Sequence, residues 1–239
     1  KLMTTGTSNT IIGAFAGDAL TTGGSNVAIG YEALTTEDTT GSSVAVGYRA
    51  LRVQNAGSTS YNVAVGTLAG AAITTGVQNT LIGGLAGDAL TTGSENVALG
   101  YAALSSEDAH GQNVAVGHNA LASLNAGANG LNTAVGYFAG LNMTTGVRNT
   151  IIGALAGDHL TTGGHNVAVG YEALSLEDAH GGNTAVGAQA LRVLNAGADG
   201  FNTAIGFVAG EAMTTGIKNT IIGGLAGDAL TTGTENTAI

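Results

Sequence analysis

Polar and apolar residues recur along the chain in a fixed five-residue phrase, Asn-[Thr/Val]-[Ala/Ile/Leu]-[Ile/Val/Leu]-Gly. It starts at Asn9, Asn26, Ser43, Asn62, Asn79, Asn96, Asn113, Asn132, Asn149, Asn166, Asn183, Asn202, Asn219 and Asn236, and Ser43 is the single departure at its first position. The steps between successive starts run 17, 17, 19, 17 and then begin again, so Asn9, Asn79, Asn149 and Asn219 open equivalent four-coil superunits. A fixed period of this size is the signature of a repeat architecture. Counting the Asn as position zero, +4 is Gly and +7 is Ala in all thirteen complete units, while +1 is Thr or Val and +3 is Ile, Val or Leu.

Positions +1 and +3 share one face of an extended chain, and β-branched residues there favour a strand. A unit of this length is too short for two helices and a turn, and a Gly in every unit opposes a helix. The pattern therefore predicts an all-β protein, a parallel β-solenoid with one 17- or 19-residue coil per repeat, spanning 1–239 as a single repetitive segment. Position +3 is expected to point into the core, and +2, mostly Ala, to offer a flat lateral surface. Gly at +4 is expected at a corner that needs a positive φ or a close backbone approach. Ala at +7 should fill a space too narrow for more, and the Asn residues should stack as an amide ladder.

A second pattern concerns core volume. Some units carry Leu at +8, from Leu34 and Leu51 to Leu174 and Leu191. The others carry Gly at +8 and an apolar residue at +11 instead, among them Leu20, Ile73, Leu90, Met143, Leu160 and Met213. One large side chain per coil is kept, as a packed interior requires.

Composition narrows the class. There are 41 Gly and no Pro or Cys, so neither collagen nor a disulfide scaffold is encoded. Hydrophobic residues make up 44% and charged residues 9%, which excludes a charged disordered polymer. No apolar run is long enough to cross a bilayer, so no membrane insertion by a helix is expected. The net charge of −10 is the wrong sign for nucleic-acid binding. Neither end departs from the repeat, so the chain is expected to be a window of a longer array.

The phrases Asn26-Val27-Ala28-Ile29-Gly30, Asn132-Thr133-Ala134-Val135-Gly136 and Asn202-Thr203-Ala204-Ile205-Gly206 resemble the head repeats of trimeric autotransporter adhesins. They are also similar to repeats of bacteriophage tail fibres and of long bacterial surface proteins. The resemblance covers the whole chain. It implies a left-handed parallel β-roll, three chains to a rod, and an adhesive or structural fibre at a cell or virion surface. Host-cell surface or matrix glycans are the partners it implies, beside self-association as a homotrimer or filament.

Candidate chemistry is sparse. Glu37-Asp38, Glu107-Asp108 and Glu177-Asp178 recur once per superunit and are expected to be solvated loop charge. Of the five histidines, His110 and His180 are superunit equivalents where the first superunit has Thr40, and a solvated loop position is expected for them too. No catalytic residue, metal ligand or cofactor is assigned. A polysaccharide-degrading enzyme on a solenoid would need a groove with clustered acids or bases, and ice binding would need threonines sharing a face, whereas those of the Thr-Thr-Gly segments are adjacent. Asn142 in Asn142-Met143-Thr144 is a candidate N-glycosylation site. The 19-residue coils end in an apolar knob, Tyr61, Leu131 or Phe201, which is expected to fold over its own bulge, with a lateral chain–chain contact or a ligand contact as the alternatives.

Overall fold

The computed structural model describes residues 4–239, and these contain strands and turns with no helix. A first compact unit runs to His118 and takes in Gly127–Asn129; a second holds Asn119–Ala126 and Gly130–Ile239. The first contains β1 (Thr10–Ile12), β2 (Val27–Ile29), β3 (Val44–Val46), β4 (Val63–Val65), β5 (Thr80–Ile82), β6 (Val97–Leu99) and β7 (Val114–Val116). The second contains β8 (Thr133–Val135), β9 (Thr150–Ile152), β10 (Val167–Val169), β11 (Thr184–Val186), β12 (Thr203–Ile205), β13 (Thr220–Ile222) and β14 (Thr237–Ala238). Within each unit every strand pairs in parallel with the next, in register by repeat position. Ala28, for example, lies opposite Ala45, and Ile29 opposite Val46. The fold is the predicted parallel β-solenoid, one coil per repeat.

The strand faces are the reverse of the expectation. Position +2 is the inward one: Ala28, Ala45, Ala64, Leu81, Ala98 and Ala115 in the first unit are wholly buried, as are Ala134, Ile151, Ala185 and Ala204 in the second. Positions +1 and +3 are half-buried or exposed in every strand. Alternation tells which residues share a face but not which face is inside, and the narrow bore decides that. A coil already holding Ala at +7 and Leu at +8 has room at +2 only for Ala. Where +2 is bulky, +8 is Gly. A Cβ on Gly87 would lie 2.8 Å from Leu81 Cδ2, and one on Gly70, a coil earlier, 2.8 Å from Leu81 Cδ1. Ile151 relates in the same way to Gly157 and Gly140, at 3.2 and 3.3 Å. Core volume is thus shared among +2, +8 and +11. The predicted exchange between Leu at +8 and an apolar residue at +11 holds in the 17-residue coils, where Leu34, Ile73, Leu90 and Met143 are all fully buried, but the longer coils from Asn113 and Asn183 bury both, Leu121 with Leu124 and Leu191 with Leu194.

Three further expectations hold. Ala at +7 is buried, with Ala103 and Ala173 at zero exposure. The Asn residues form an interior ladder in which each accepts the backbone N–H of the next: Asn79 N donates to Asn62 Oδ1 at 2.8 Å, and Asn96 N to Asn79 Oδ1 at 3.0 Å. In the 17-residue coils the amide also donates across the coil, as Asn79 Nδ2 does to Gly93 O at 2.9 Å, whereas Asn113 Nδ2 donates to Gly111 O at 3.3 Å, two residues back. Gly at +4 combines a positive φ with a close approach: Gly100 has φ +139, and a Cβ there would lie 2.3 Å from Gly117 O.

Corners are turned by left-handed residues at −1, +6 and +8, shown by Ser25 (φ 60), Glu32 (φ 52) and Leu34 (φ 51). Most carry side chains, which disfavours that conformation by about 1–2 kcal/mol each. Hydrogen bonds between coils hold them: Glu32 N to Ala14 O at 3.0 Å, Leu34 N to Ala50 O at 3.0 Å, and Ser42 N to Gly24 O at 3.1 Å.

Candidate functional site

The inward turn of +2 leaves +1 and +3 facing outward, so each unit presents a sheet face made of Thr, Val, Ile and Leu side chains. Ile82, Leu99, Ile152, Ile205 and Ile222 are among the exposed large hydrophobics. Strand spacing makes the face of seven strands about 35 Å by 10 Å, the scale at which an exposed apolar patch marks an interaction surface. Aromatic residues flank it at +5 of several coils, with Phe15 beside them at +6 of the first. Tyr31 stacks on Tyr48 with centroids 5.6 Å apart, Phe15 meets Tyr31 edge-on at 5.8 Å, and Tyr101 stacks on His118 at 5.3 Å. Beside it, Arg49 Nε donates to Glu32 Oε2 at 2.7 Å while its guanidinium lies 5.0 Å from the Tyr48 centroid. That hydrogen bond holds the Glu32 carboxyl below its ordinary range and raises Arg49, and the Glu32 carboxylate raises the Tyr31 hydroxyl. In the second unit Gln189 Nε2 donates to Glu172 Oε2 at 3.0 Å and lowers that carboxyl likewise.

The three knobs stand out from the surface: Tyr61 is 61% exposed, Leu131 48% and Phe201 58%. They occupy the left-handed −1 corner, with φ 50, 51 and 47. The Phe201 ring leans over the backbone of the coil before it, since a Cβ on Gly182 would fall 2.8 Å from Phe201 Cδ1. Asn142 is exposed, and its amide donates to Asp158 O at 2.8 Å. The first Thr of the Thr-Thr-Gly segments bonds the following coil, as where Thr74 Oγ1 reaches Thr91 O at 3.1 Å and Thr91 Oγ1 reaches Asp108 O at 2.8 Å.

The Glu-Asp pairs correct the sequence reading most. Glu37, Glu107 and Glu177 are fully buried, not solvated, while Asp108 and Asp178 are exposed. Neighbouring residues of an extended chain point to opposite sides, so one acid of each pair enters the corner. There it accepts the N–H of the residue three further on: Thr40 N donates to Glu37 Oε1 at 3.1 Å, His110 N to Glu107 Oε1 at 3.2 Å, and His180 N to Glu177 Oε1 at 3.3 Å. Burial pushes the Glu177 carboxyl above its usual range, although the Ala196 and His180 N–H groups work against the shift. Burial likewise raises Asp88 and Asp158 in the Gly-Asp turns. His110 and His180 are half-buried, not solvated, with Nδ1 facing the same glutamate.

Ser43 breaks the Asn ladder, and the first superunit repairs the break with a polar cluster. Gln54 Nε2 donates to Ser43 Oγ at 2.8 Å, to Ser60 Oγ at 3.1 Å and to Glu37 Oε2 at 3.0 Å, and its Oε1 accepts from Asn62 Nδ2 at 2.8 Å. The equivalent positions read Asn113, Leu124 and Gly130 in the second superunit, and Asn183, Leu194 and Gly200 in the third. A Cβ on Gly200 would lie 2.2 Å from Asn183 Oδ1, so the intact ladder requires Gly where the broken one admits Ser60. The same co-variation along the sequence is the signal that could have placed the glutamates inside.

Among the described residues no enclosed pocket is found. No protein-family model, curated protein or solved structure matches the chain.

Proposed function

We propose that the chain is a structural, non-catalytic element of an extracellular fibre, in which the outward strand faces pack laterally against other copies of the same chain, three to a cross-section. The observation that carries this reading is the outward column of +1 and +3 side chains in both units. A sheet face of Val, Ile and Leu in contact with water is stabilised by covering it, at about 25 cal/mol per Å² of apolar area removed. A second copy is the occupant that fits best, because it presents the same side chains at the same strand spacing. Tyr61, Leu131 and Phe201, exposed once in each superunit, give a partner of identical sequence matching features along its length. A bacterial surface filament and a phage tail-fibre shaft both satisfy this reading, and its adhesive side, toward surface or matrix glycans, rests on the resemblance of the repeats.

Sedimentation equilibrium of the whole chain, or mass per unit length of its fibres, tests the assembly. Three chains per cross-section are expected. Replacement of outward residues, Val116→Glu and Ile152→Glu together, should dissociate the assembly while the monomer keeps its β-sheet circular dichroism. A monomer at all concentrations with the native sequence overturns the reading.

A second reading has one specific observation in its favour. In the second unit the outward +1 column is Thr133, Thr150, Thr184, Thr203, Thr220 and Thr237, interrupted only by Val167. Regularly spaced hydroxyls and methyls on a flat sheet can order water, and thermal hysteresis in freezing assays is its test.

A further inference from the structure

Apart from the strand face, chemistry-bearing side chains converge at one recurring place, the corner after each buried glutamate. The three copies of that corner are not alike. In the first, the carboxylate is satisfied wholly by protein donors: Thr40 N and Thr40 Oγ1 donate to Glu37 Oε1, and Gln54 Nε2 donates to Oε2. In the second and third, the Thr is replaced by His110 or His180, and Gln54 by Leu124 or Leu194. The imidazole stands where the Thr40 hydroxyl was, and in the third corner Ala196 N takes the place of Gln54, donating to Glu177 Oε2 at 3.3 Å.

That imidazole does not hydrogen-bond the carboxylate. His110 Nδ1 lies 3.5 Å from Glu107 Oε1, and His180 Nδ1 3.4 Å from Glu177 Oε1. Both Nδ1 atoms are buried and make no hydrogen bond. The separation has a meaning of its own. Two ligand atoms at about 2.1 Å from one ion in tetrahedral array are about 3.4 Å apart. A carboxylate oxygen of Asp108 or Asp178 completes each set, and the three donor atoms of each group lie within 4.8 Å of one another. Asp108 and Asp178 are the exposed members of the two sets.

We propose that Glu107–Asp108–His110 and Glu177–Asp178–His180 are two equivalent sites for a divalent first-row transition metal, of which zinc is the type. Glu37–Asp38–Thr40 is not a site. The imidazole sets the class: calcium and magnesium take oxygen ligands, whereas zinc, nickel and copper take nitrogen with carboxylate. Two carboxylates neutralise the dication, and a buried carboxylate gains most from a cation beside it. Three protein ligands leave a fourth position to water or to a group from another molecule. A bound ion would pin the corner to its glutamate, as Thr40 and Gln54 pin the first.

Equilibrium dialysis of the full chain against zinc alone, followed by elemental analysis, should find two ions per chain. His110→Thr and His180→Thr should each leave one ion, and the double variant none. Both variants restore the residue that the first corner carries, so they are expected to fold. The converse pair Thr40→His with Gln54→Leu should raise the count to three. Cobalt offers a second readout, a visible ligand-field band that the double variant loses. Zinc bound equally well by the double variant would assign it to His118, His159 or His165 and overturn the proposal. So would the absence of binding at micromolar free zinc.

Discussion

Gly100→Ala tests the physical argument for the solenoid at its most repeated position. Gly100 sits at +4 with φ +139, and an added Cβ would lie 2.3 Å from Gly117 O and 2.6 Å from its carbonyl carbon. Both atoms are backbone, so no side chain can swing away. Forcing alanine into that conformation costs on the order of 1–3 kcal/mol. Displacing the neighbouring coil adds about 1–3 kcal/mol of overpacking, so a loss of about 4 kcal/mol is expected. Gly127 is the internal control: its φ is +68 and nothing lies within 4 Å of an added Cβ. Gly127→Ala should therefore lose only the left-handed penalty, about 1–2 kcal/mol. Urea titrations followed by circular dichroism give both values, and hydrogen exchange should show the loss concentrated near Gly100 and Gly117, because a solenoid transmits strain chiefly to adjoining coils. Equal losses in the two variants would refute the reasoning, since only one has a neighbour in the way.

Ala103→Leu should cost about 1–3 kcal/mol, since Ala103 has zero exposure and the bore has no room for a larger side chain; unchanged thermal stability would place +7 outside the interior. Asn79→Ala should cost more, about 2–4 kcal/mol by urea titration, because it strands the buried N–H of Asn96 and the carbonyl of Gly93. Glu177→Gln should change the pH dependence of stability. Burial raises the folded carboxyl above 4.5, so its favourable contribution is complete below that pH and is lost as pH rises through the folded value. The variant's urea midpoint relative to the native chain should accordingly rise between pH 4 and 7, and parallel curves would contradict a desolvated carboxyl.

The sequence showed the coil, the Asn ladder and the narrow Ala at +7, because each is a demand that every unit makes, and it showed the exchange between +8 and +11 for the 17-residue coils. It did not show which strand face is inside. Ile at +3 outranks Ala at +2 by hydrophobicity, and that ranking misleads wherever the bore is too thin for the larger residue. The bulky +2 residues Leu81 and Ile151 held the clue, for each occurs only with Gly at +8 of its own coil and of the coil before. The glutamates were misplaced for a different reason. A buried acid reads as a surface acid until its donors are known, and here the principal donor is a backbone N–H three residues on, which has no side-chain signature.

Each coil obeys the same steric rules, yet the chain is written in four-coil superunits, and register explains the difference. A sheet face that repeated identically with every coil would let a lateral partner slip by one strand and find the same Thr, Val and Ile again, the usual weakness of uniform strands. The knobs at Tyr61, Leu131 and Phe201 recur once per superunit instead, at a corner where the other coils carry small or polar residues such as Ser25, Gln78 and Lys218. Two copies that slip by one coil set each knob against a polar corner, while copies in register, or slipped by a whole superunit, bring knobs level. The knobs therefore act against wrong pairings more than for the right one. Replacing all three by Ser should leave the monomer's stability within about 0.5 kcal/mol, as befits exposed side chains away from special sites. Assembly should persist, but with copies staggered by single coils, so that cross-linking between engineered surface cysteines yields several registers in place of one. A single register in the triple variant would show that the strand face alone sets the alignment.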